Sequence, residues 1–172
     1  MWRSTDGGNS WSKTTKPEQL HSVTTIAQDL RTGENNIWYY GTGELTGNSA
    51  DGGGGAFFNG DGIFKSTDGG LNWNVLSSTD SNTPQSFDSF FDYIWRIRVS
   101  PVNGYVFAAT YSRVYRSKNE GTSWEVVLAP SDEYATYSDI TISSTGTLYA
   151  VFSSDTDMSG VYRSADDGAT WT

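Results

Sequence analysis

The stretch Ser66-Thr67-Asp68-Gly69-Gly70-Leu71-Asn72-Trp73 governs the reading of this chain, because its pattern returns three more times. The other copies are Ser4-Thr5-Asp6-Gly7-Gly8-Asn9-Ser10-Trp11, Ser117-Lys118-Asn119-Glu120-Gly121-Thr122-Ser123-Trp124 and Ser164-Ala165-Asp166-Asp167-Gly168-Ala169-Thr170-Trp171. An aromatic and a basic residue precede each copy: Trp2-Arg3, Phe64-Lys65, Tyr115-Arg116 and Tyr162-Arg163. Successive copies begin 62, 51 and 47 residues apart. That spacing belongs to a repeat architecture rather than to a single site.

Composition agrees with a repeat of short strands. The 172 residues include 19 glycines and 15% aromatics, a mixture that favours strands joined by tight turns over long amphipathic helices. The formal charge of −9 and a pI near 4.4 argue against nucleic acid or anionic lipid as partner, since both attract basic surfaces. There is no cysteine, which excludes disulfides and thiolate metal sites. No apolar run approaches the roughly 18 residues of a membrane span, and no charged-then-apolar signal segment opens the chain, so direct membrane insertion is not expected.

Outward from the second copy, the text divides into similar units. Residues 23–27 and 37–40 read as an antiparallel pair across the turn at 29–36. The glycine-rich stretch 41–61, with Gly52-Gly53-Gly54-Gly55, reads as irregular because of its backbone entropy cost. Strands are expected at 62–65 and 74–76 on either side of the second copy. The third unit repeats this plan at 93–99, 105–110, 113–116 and 125–128, preceded by a long connection at 77–92. The fourth is shorter, with strands at 139–142, 147–152 and 160–163. Four short strands per unit without intervening helices point to an all-β fold, a β-propeller of four-stranded antiparallel blades.

The four copies resemble the Asp-box, or bacterial neuraminidase repeat, of sialidases, sortilin-type receptors, xyloglucan-degrading glucanases and photosystem assembly factors. The second copy carries Asn72 where Thr or Ser is usual, and the third Asn119 where Asp is usual. A short acceptor at Asp6, Asp68, Asn119 or Asp166 satisfies backbone N–H groups in a hairpin turn. Gly8, Gly70, Gly121 and Gly168 offer positive φ, and Trp11, Trp73, Trp124 and Trp171 are expected to anchor each hairpin against its own blade. Ser4, Ser66, Ser117 and Ser164 complete the structural set. Catalytic or metal-binding aspartates are the competing reading, but a motif present in every unit stabilises units. The blades are expected at 1–16, 17–77, 78–129 and 130–172, the first and last incomplete, as part of a larger propeller that includes the rest of the same polypeptide.

The resemblance implies that the boxes mark one face of the propeller and the ligand site the other. The two longest insertions, 41–61 and 77–92, then rise together on the second face. They bring Glu44, Asp51, Asp61, Asp88 and Asp92 together with Phe57, Phe58, Phe87, Phe90, Phe91, Tyr93 and Trp95. Acids mixed with rings suit recognition of a glycan or a protein, and a suitably spaced pair of acids can hydrolyse a glycoside. Arg3, Arg116 and Arg163 read as structural from their repeated position, and Arg96 and Arg98 as partners of an interblade salt bridge. Asn59-Gly60-Asp61 and Asp155-Thr156-Asp157 have too few ligands for a dedicated calcium loop, and His21 reads as a connection residue. No catalytic residue, metal or cofactor is assigned.

The resulting expectation is a binding or display module of a larger secreted or cell-surface bacterial protein. The text Gly41-Thr42-Gly43-Glu44 followed by Gly62-Ile63-Phe64-Lys65 resembles repeats of large exported proteins of gliding and biofilm-forming bacteria. The alternatives are a sialidase-like or glucanase-like glycoside hydrolase and an intracellular assembly-factor propeller.

Overall fold

Turn formers interrupt the chain so often that its strands stay short. The computed structural model describes residues 1–19, 22–47, 56–81, 83, 85–131, 137–153 and 157–172. The strands are β1 (Trp2–Arg3), β2 (Ser12–Lys13), β3 (Val23–Gln28), β4 (Trp38–Thr42), β5 (Glu44–Gly47), β6 (Ala56–Phe58), β7 (Ile63–Ser66), β8 (Asn74–Val75), β9 (Ile94–Val99), β10 (Val106–Thr110), β11 (Arg113–Ser117), β12 (Glu125–Leu128), β13 (Ser138–Ile142), β14 (Leu148–Phe152) and β15 (Gly160–Ser164). Two 3-10 turns, Pro17–Gln19 and Phe90–Asp92, interrupt the connections.

The strands pair antiparallel in chain order. Sheets β3-β4-β7-β8 and β9-β10-β11-β12 have four strands, β13-β14-β15 has three, and β1-β2 is a hairpin. Their registers coincide: Trp38 faces Ser66, Val106 faces Ser117 and Leu148 faces Ser164. Strand-by-strand equivalence across sheets is what a propeller blade requires, and successive sheets pack face to face through their alternating side chains. Phe107, Ala109 and Val114 meet Ile140, Leu148, Ala150 and Phe152. Tyr39 and Ile63 meet Ile94, Ile97, Val106 and Ala108. Each large apolar side chain buried this way contributes roughly 1.5–3 kcal/mol, so the faces between blades are the core.

The insertion between β4 and β7 departs from the sequence reading. It was expected to be irregular throughout, yet β5 and β6 pair within it, Glu44 with Phe58 and Gly47 with Ala56. Interstrand hydrogen bonds offset the entropy cost of the glycines at the base of the insertion.

All four repeated turns are built by the same bonds. The serine Oγ accepts the N–H of the glycine four residues on, at 2.8 Å in the first, third and fourth turns and 2.9 Å in the second. It donates in turn to the carboxylate or amide oxygen two residues on. That oxygen accepts the N–H of Ser10, Asn72, Ser123 or Thr170 at 2.9–3.0 Å. The second carboxylate oxygen takes Ser10 Oγ, Asn72 Nδ2 or Thr170 Oγ1. In the third turn this last bond is reversed, with Asn119 Nδ2 donating to Ser123 Oγ. These donors hold the carboxyls of Asp6, Asp68 and Asp166 down to about 2. The fourth and fifth residues of every turn have positive φ, and at the fourth position Glu120 (57°) and Asp167 (56°) adopt it without being glycine.

The later turns also tie their blades to the one before. Trp73 Nε1 donates to Thr14 Oγ1 and Trp124 Nε1 to Ser78 Oγ, both just after the last strand of the preceding blade. Trp171 packs on the core shared with the third blade. The tryptophans were expected to anchor each hairpin against its own blade. The rings also pack on their own blades, Trp73 against Tyr40 at 4.8 Å and Trp124 against Phe91 at 5.5 Å, and Trp11 Nε1 and Trp171 Nε1 donate to Gly8 O and Gly168 O within their own turns. The basic residue before each turn reaches the other way. Arg3 Nε donates to Gly69 O at 2.7 Å, Lys65 Nζ to Glu120 Oε2 at 2.7 Å, and Arg116 to Asp167 O. The acceptor is the fourth residue of the following turn every time.

Candidate functional site

The turns and the first-to-second-strand connections share one face. Gly69 N donates to Asn36 O, joining the second turn to the β3–β4 connection, and Arg31, paired with Asp29, reaches Asn103 O in the β9–β10 connection. The opposite face carries the β4–β7 insertion, the β8–β9 connection and the short β10–β11 turn. These are bound together by backbone: Gly60 N donates to Asp92 O at 2.8 Å, Gly43 N to Ser22 O at 2.9 Å and Tyr111 N to Tyr93 O at 3.0 Å. The approach needs a glycine at position 43, where φ is +92° and a Cβ would stand 1.7 Å from Asp92 O.

On this face the aromatic residues gather into one cluster. Phe87 stacks on Tyr93 at 5.4 Å and meets Tyr111 edge-on at 5.4 Å. Phe90 lies parallel to Tyr111 at 6.4 Å and edge-on to Phe87 at 6.3 Å. The Arg113 guanidinium sits 4.1 Å from the Phe90 ring centre, close enough for a cation–π contact. Phe87 remains 49% exposed. Trp95 and Tyr137 add a second pair of rings, 5.2 Å apart, at the adjoining strand starts β9 and β13. The indole N–H of Trp95 is buried and has no hydrogen-bond partner among the described residues.

The acids and rings named from sequence take varied places. Phe91 is buried against Tyr115 and Trp124, and Asp92 is 2% exposed. The Asp92 carboxylate accepts the N–H groups of Asp88 and Ser89 and closes a capping box with Ser89. Burial pushes its pKa up, and those two N–H groups act against the rise. These two residues therefore build the loop from within. The Tyr93 hydroxyl donates to Asn59 Oδ1, and burial raises its pKa. Asp88 is exposed but accepts the Thr83 and Ser81 hydroxyls, which hold its carboxyl below the usual range. Glu44 accepts Ser22 Oγ at 3.0 Å. Asp61 lies at the end of the insertion, its N–H donating to Thr42 Oγ1, and Phe58 is exposed. Asp51 and His21 lie outside the described residues, as does the side chain of Phe57.

Tyr111 and Arg113 were not singled out as site residues from sequence. Tyr111 lies in the short β10–β11 turn and Arg113 begins β11, and only a strand-to-loop register would have brought them forward. Arg96 pairs through both nitrogens with Asp139 of the next blade, at 2.8 and 3.1 Å, the interblade salt bridge expected for this strand. Arg98 instead donates to Ile97 O. Among the described residues no group of three or more His, Asp or Glu is placed to hold a metal ion. Of the two weak calcium readings, Asn59 is engaged by Tyr93, Asp157 accepts Ser131 Oγ, and positions 155 and 156 lie outside the described residues.

The blades and their stacking define a β-propeller, and solved structures agree. The chain matches an ancestral GH74 enzyme over 99% of its length at TM-score 0.69 and 23% identity, covering 22% of that enzyme. It matches the GH74 xyloglucanase of Xanthomonas campestris over 99% at TM-score 0.59 and 17% identity, covering 21% of it. A structure of YCF48 bound to D1 peptide matches over 97% of the chain at TM-score 0.55 and 16% identity, with 45% of that chain covered. The chain thus spans about a fifth of the GH74 enzymes and under half of YCF48. No family profile matches it, and no curated protein matches it in sequence.

Proposed function

We propose that this chain is an Asp-box propeller module that binds a glycan or protein partner on its insertion face, within a secreted or cell-surface bacterial protein. The observation that carries the reading is the Phe87, Phe90, Tyr93 and Tyr111 cluster, flanked by Arg113 and Asn59 and only partly covered. Flat rings supply apolar area at low entropic cost, and the polar groups at their edge orient what stacks on them. The Asp-box assignment is supported by the common bonding of the four turns, and a partner on this surface is in keeping with the peptide held by the YCF48 propeller. Export rests on the repeat text around residues 41–65. A net charge of −9 favours neutral or cationic partners over polyanions.

Hydrolysis needs a protonated acid and a free carboxylate facing each other across the substrate. Asp92 is buried in its cap, and Asp88 and Glu44 are each engaged by neighbouring hydroxyls, an arrangement that favours binding. The test is a glycan array and an immobilised-peptide array probed with the chain and with Phe87→Ala and Tyr111→Ala. A partner retained by the parent and lost by both variants, with unchanged melting, is the expected result. Turnover of fluorogenic glycosides abolished by Asp88→Asn would overturn the pure binding reading.

A further inference from the structure

The ring cluster of the insertion face stands over the junction of the second and third blades, both of which have all four strands. Within it Phe87 has one neighbour stacked on it, Tyr93 at 5.4 Å, and is still 49% exposed. The next residue, Asp88, is exposed too. Ser81 Oγ donates to one of its carboxylate oxygens and Thr83 Oγ1 to the other, and these bonds keep the group ionised at neutral pH. Each carboxylate oxygen has two acceptor sites, so one on each oxygen remains for a donor from outside.

An open ring beside a charged carboxylate matches a guanidinium, which stacks on aromatic faces and donates in a fork to carboxylates. The chain already makes the first of these contacts on the same face, with Arg113 4.1 Å from the Phe90 ring centre. A hydroxyl-rich ligand is matched less well, because the Tyr93 hydroxyl is committed to Asn59 and neither Phe87 nor Phe90 has a polar tip.

The charge of the chain is divided in the same sense. Read along the sequence, the segments that join strands on this face are 14–22, 43–62, 76–93, 111–112, 129–137 and 153–159. They hold eleven of the 20 acids and one of the 11 basic residues, Lys16; seven of these acids are among the described residues. The rest of the chain, with nine acids and ten bases, is close to neutral. The net negative charge therefore belongs to the end of the fold that carries the rings, and a field of that sign draws a cationic partner toward them.

We propose that the partner of the insertion face is a basic segment of another protein, one arginine of which lies over Phe87 and pairs with the Asp88 carboxylate. This rests on the binding reading above and gives that site its chemical class of partner: the exposed ring supplies the contact area, and the charge selects what covers it.

An array of short arginine-containing peptides tests it, each printed beside a copy with citrulline, which keeps the shape of arginine without its charge. Affinities of the peptides retained are measured by fluorescence polarisation of labelled copies. The expected result is binding that weakens at least about tenfold in the citrulline copy and by as much with Phe87→Ala or Asp88→Asn. Raising sodium chloride from about 0.05 M to about 0.5 M weakens it as well. Glu34→Gln removes an equal charge from the β3–β4 connection on the opposite face and leaves affinity within about twofold. Thermal melting checks that every variant is folded. Arginine peptides that fail to bind, or that lose as much with Glu34→Gln as with Asp88→Asn, overturn the proposal. The binding reading is judged separately: a glycan or an arginine-free peptide held through Phe87 and Tyr111 preserves it while overturning the arginine partner, and both fall if nothing is held there.

Discussion

Replacing the serine of each repeated turn by alanine removes the same pair of hydroxyl hydrogen bonds at three buried positions and one exposed one. Ser66, Ser117 and Ser164 are at most 1% exposed, and the glycine N–H each accepts is buried with it, at 2.8–2.9 Å. Ser4 makes the same 2.8 Å bond to Gly8 in an exposed hairpin. Alanine is smaller and meets no clash, so the change deletes the acceptor of the glycine N–H and the donor to the oxygen two residues on. At the three inner turns the glycine N–H is left without a partner and without water, a loss of about 1–3 kcal/mol each. At Ser4 water replaces the hydroxyl, and the cost falls to about 0.5 kcal/mol or less. Urea unfolding of the four variants, compared at constant m-value, reads these differences directly. Equal losses at all four positions, or the largest loss at Ser4, would refute the view that the turns work by satisfying buried backbone.

Three further outcomes follow from the geometry. Hydrogen bonds within the turns hold the carboxyls of Asp6, Asp68 and Asp166 at about 2, below the ordinary 3.8 of an aspartate. Their contribution is therefore complete above the unfolded value and is lost as pH falls toward 2; urea midpoints measured down this range should drop, and less so in a triple Asp→Asn variant. Gly121→Ala puts a Cβ 2.3 Å from Leu76 Cδ1 at φ +90°, whereas Gly33→Ala has the same φ of +91° in open space. The first should cost about 1–3 kcal/mol more than the second by calorimetry, and equal costs would show that only backbone strain matters. The Arg96–Asp139 pair is 39% and 46% exposed, so a double-mutant cycle should return a coupling of only about 0.5–1 kcal/mol, reduced by salt.

The turns were legible in the sequence because their chemistry is local. Every bond from Ser66 or Asp68 within its turn closes inside seven consecutive residues, so spacing alone specifies them. Strand order followed from counting turns along an antiparallel path, whereas the common face of the two long insertions was what the resemblance of the turns to the Asp-box implied. The reach of Trp73 and Trp124 to the preceding blade, by contrast, spans 59 and 46 residues, and no local pattern encodes such a contact.

The candidate site divides in the same way. Phe90, Phe91, Asp92 and Tyr93 are adjacent in sequence and alike in type, and nothing in their order tells which will face outward. The 3-10 turn at Phe90–Asp92 turns Phe91 and Asp92 inward and leaves Phe90 beside Arg113. Tyr111 joins the cluster because β10 ends beneath the loop, a matter of interstrand register. By itself, then, the sequence determined the repeat, the turn chemistry and the all-β propeller, all set by short-range hydrogen bonding and strand periodicity. Only the tertiary structure decided which rings are exposed, which acids are already engaged, and how each blade grips the next, since those depend on which side chains packing leaves uncovered.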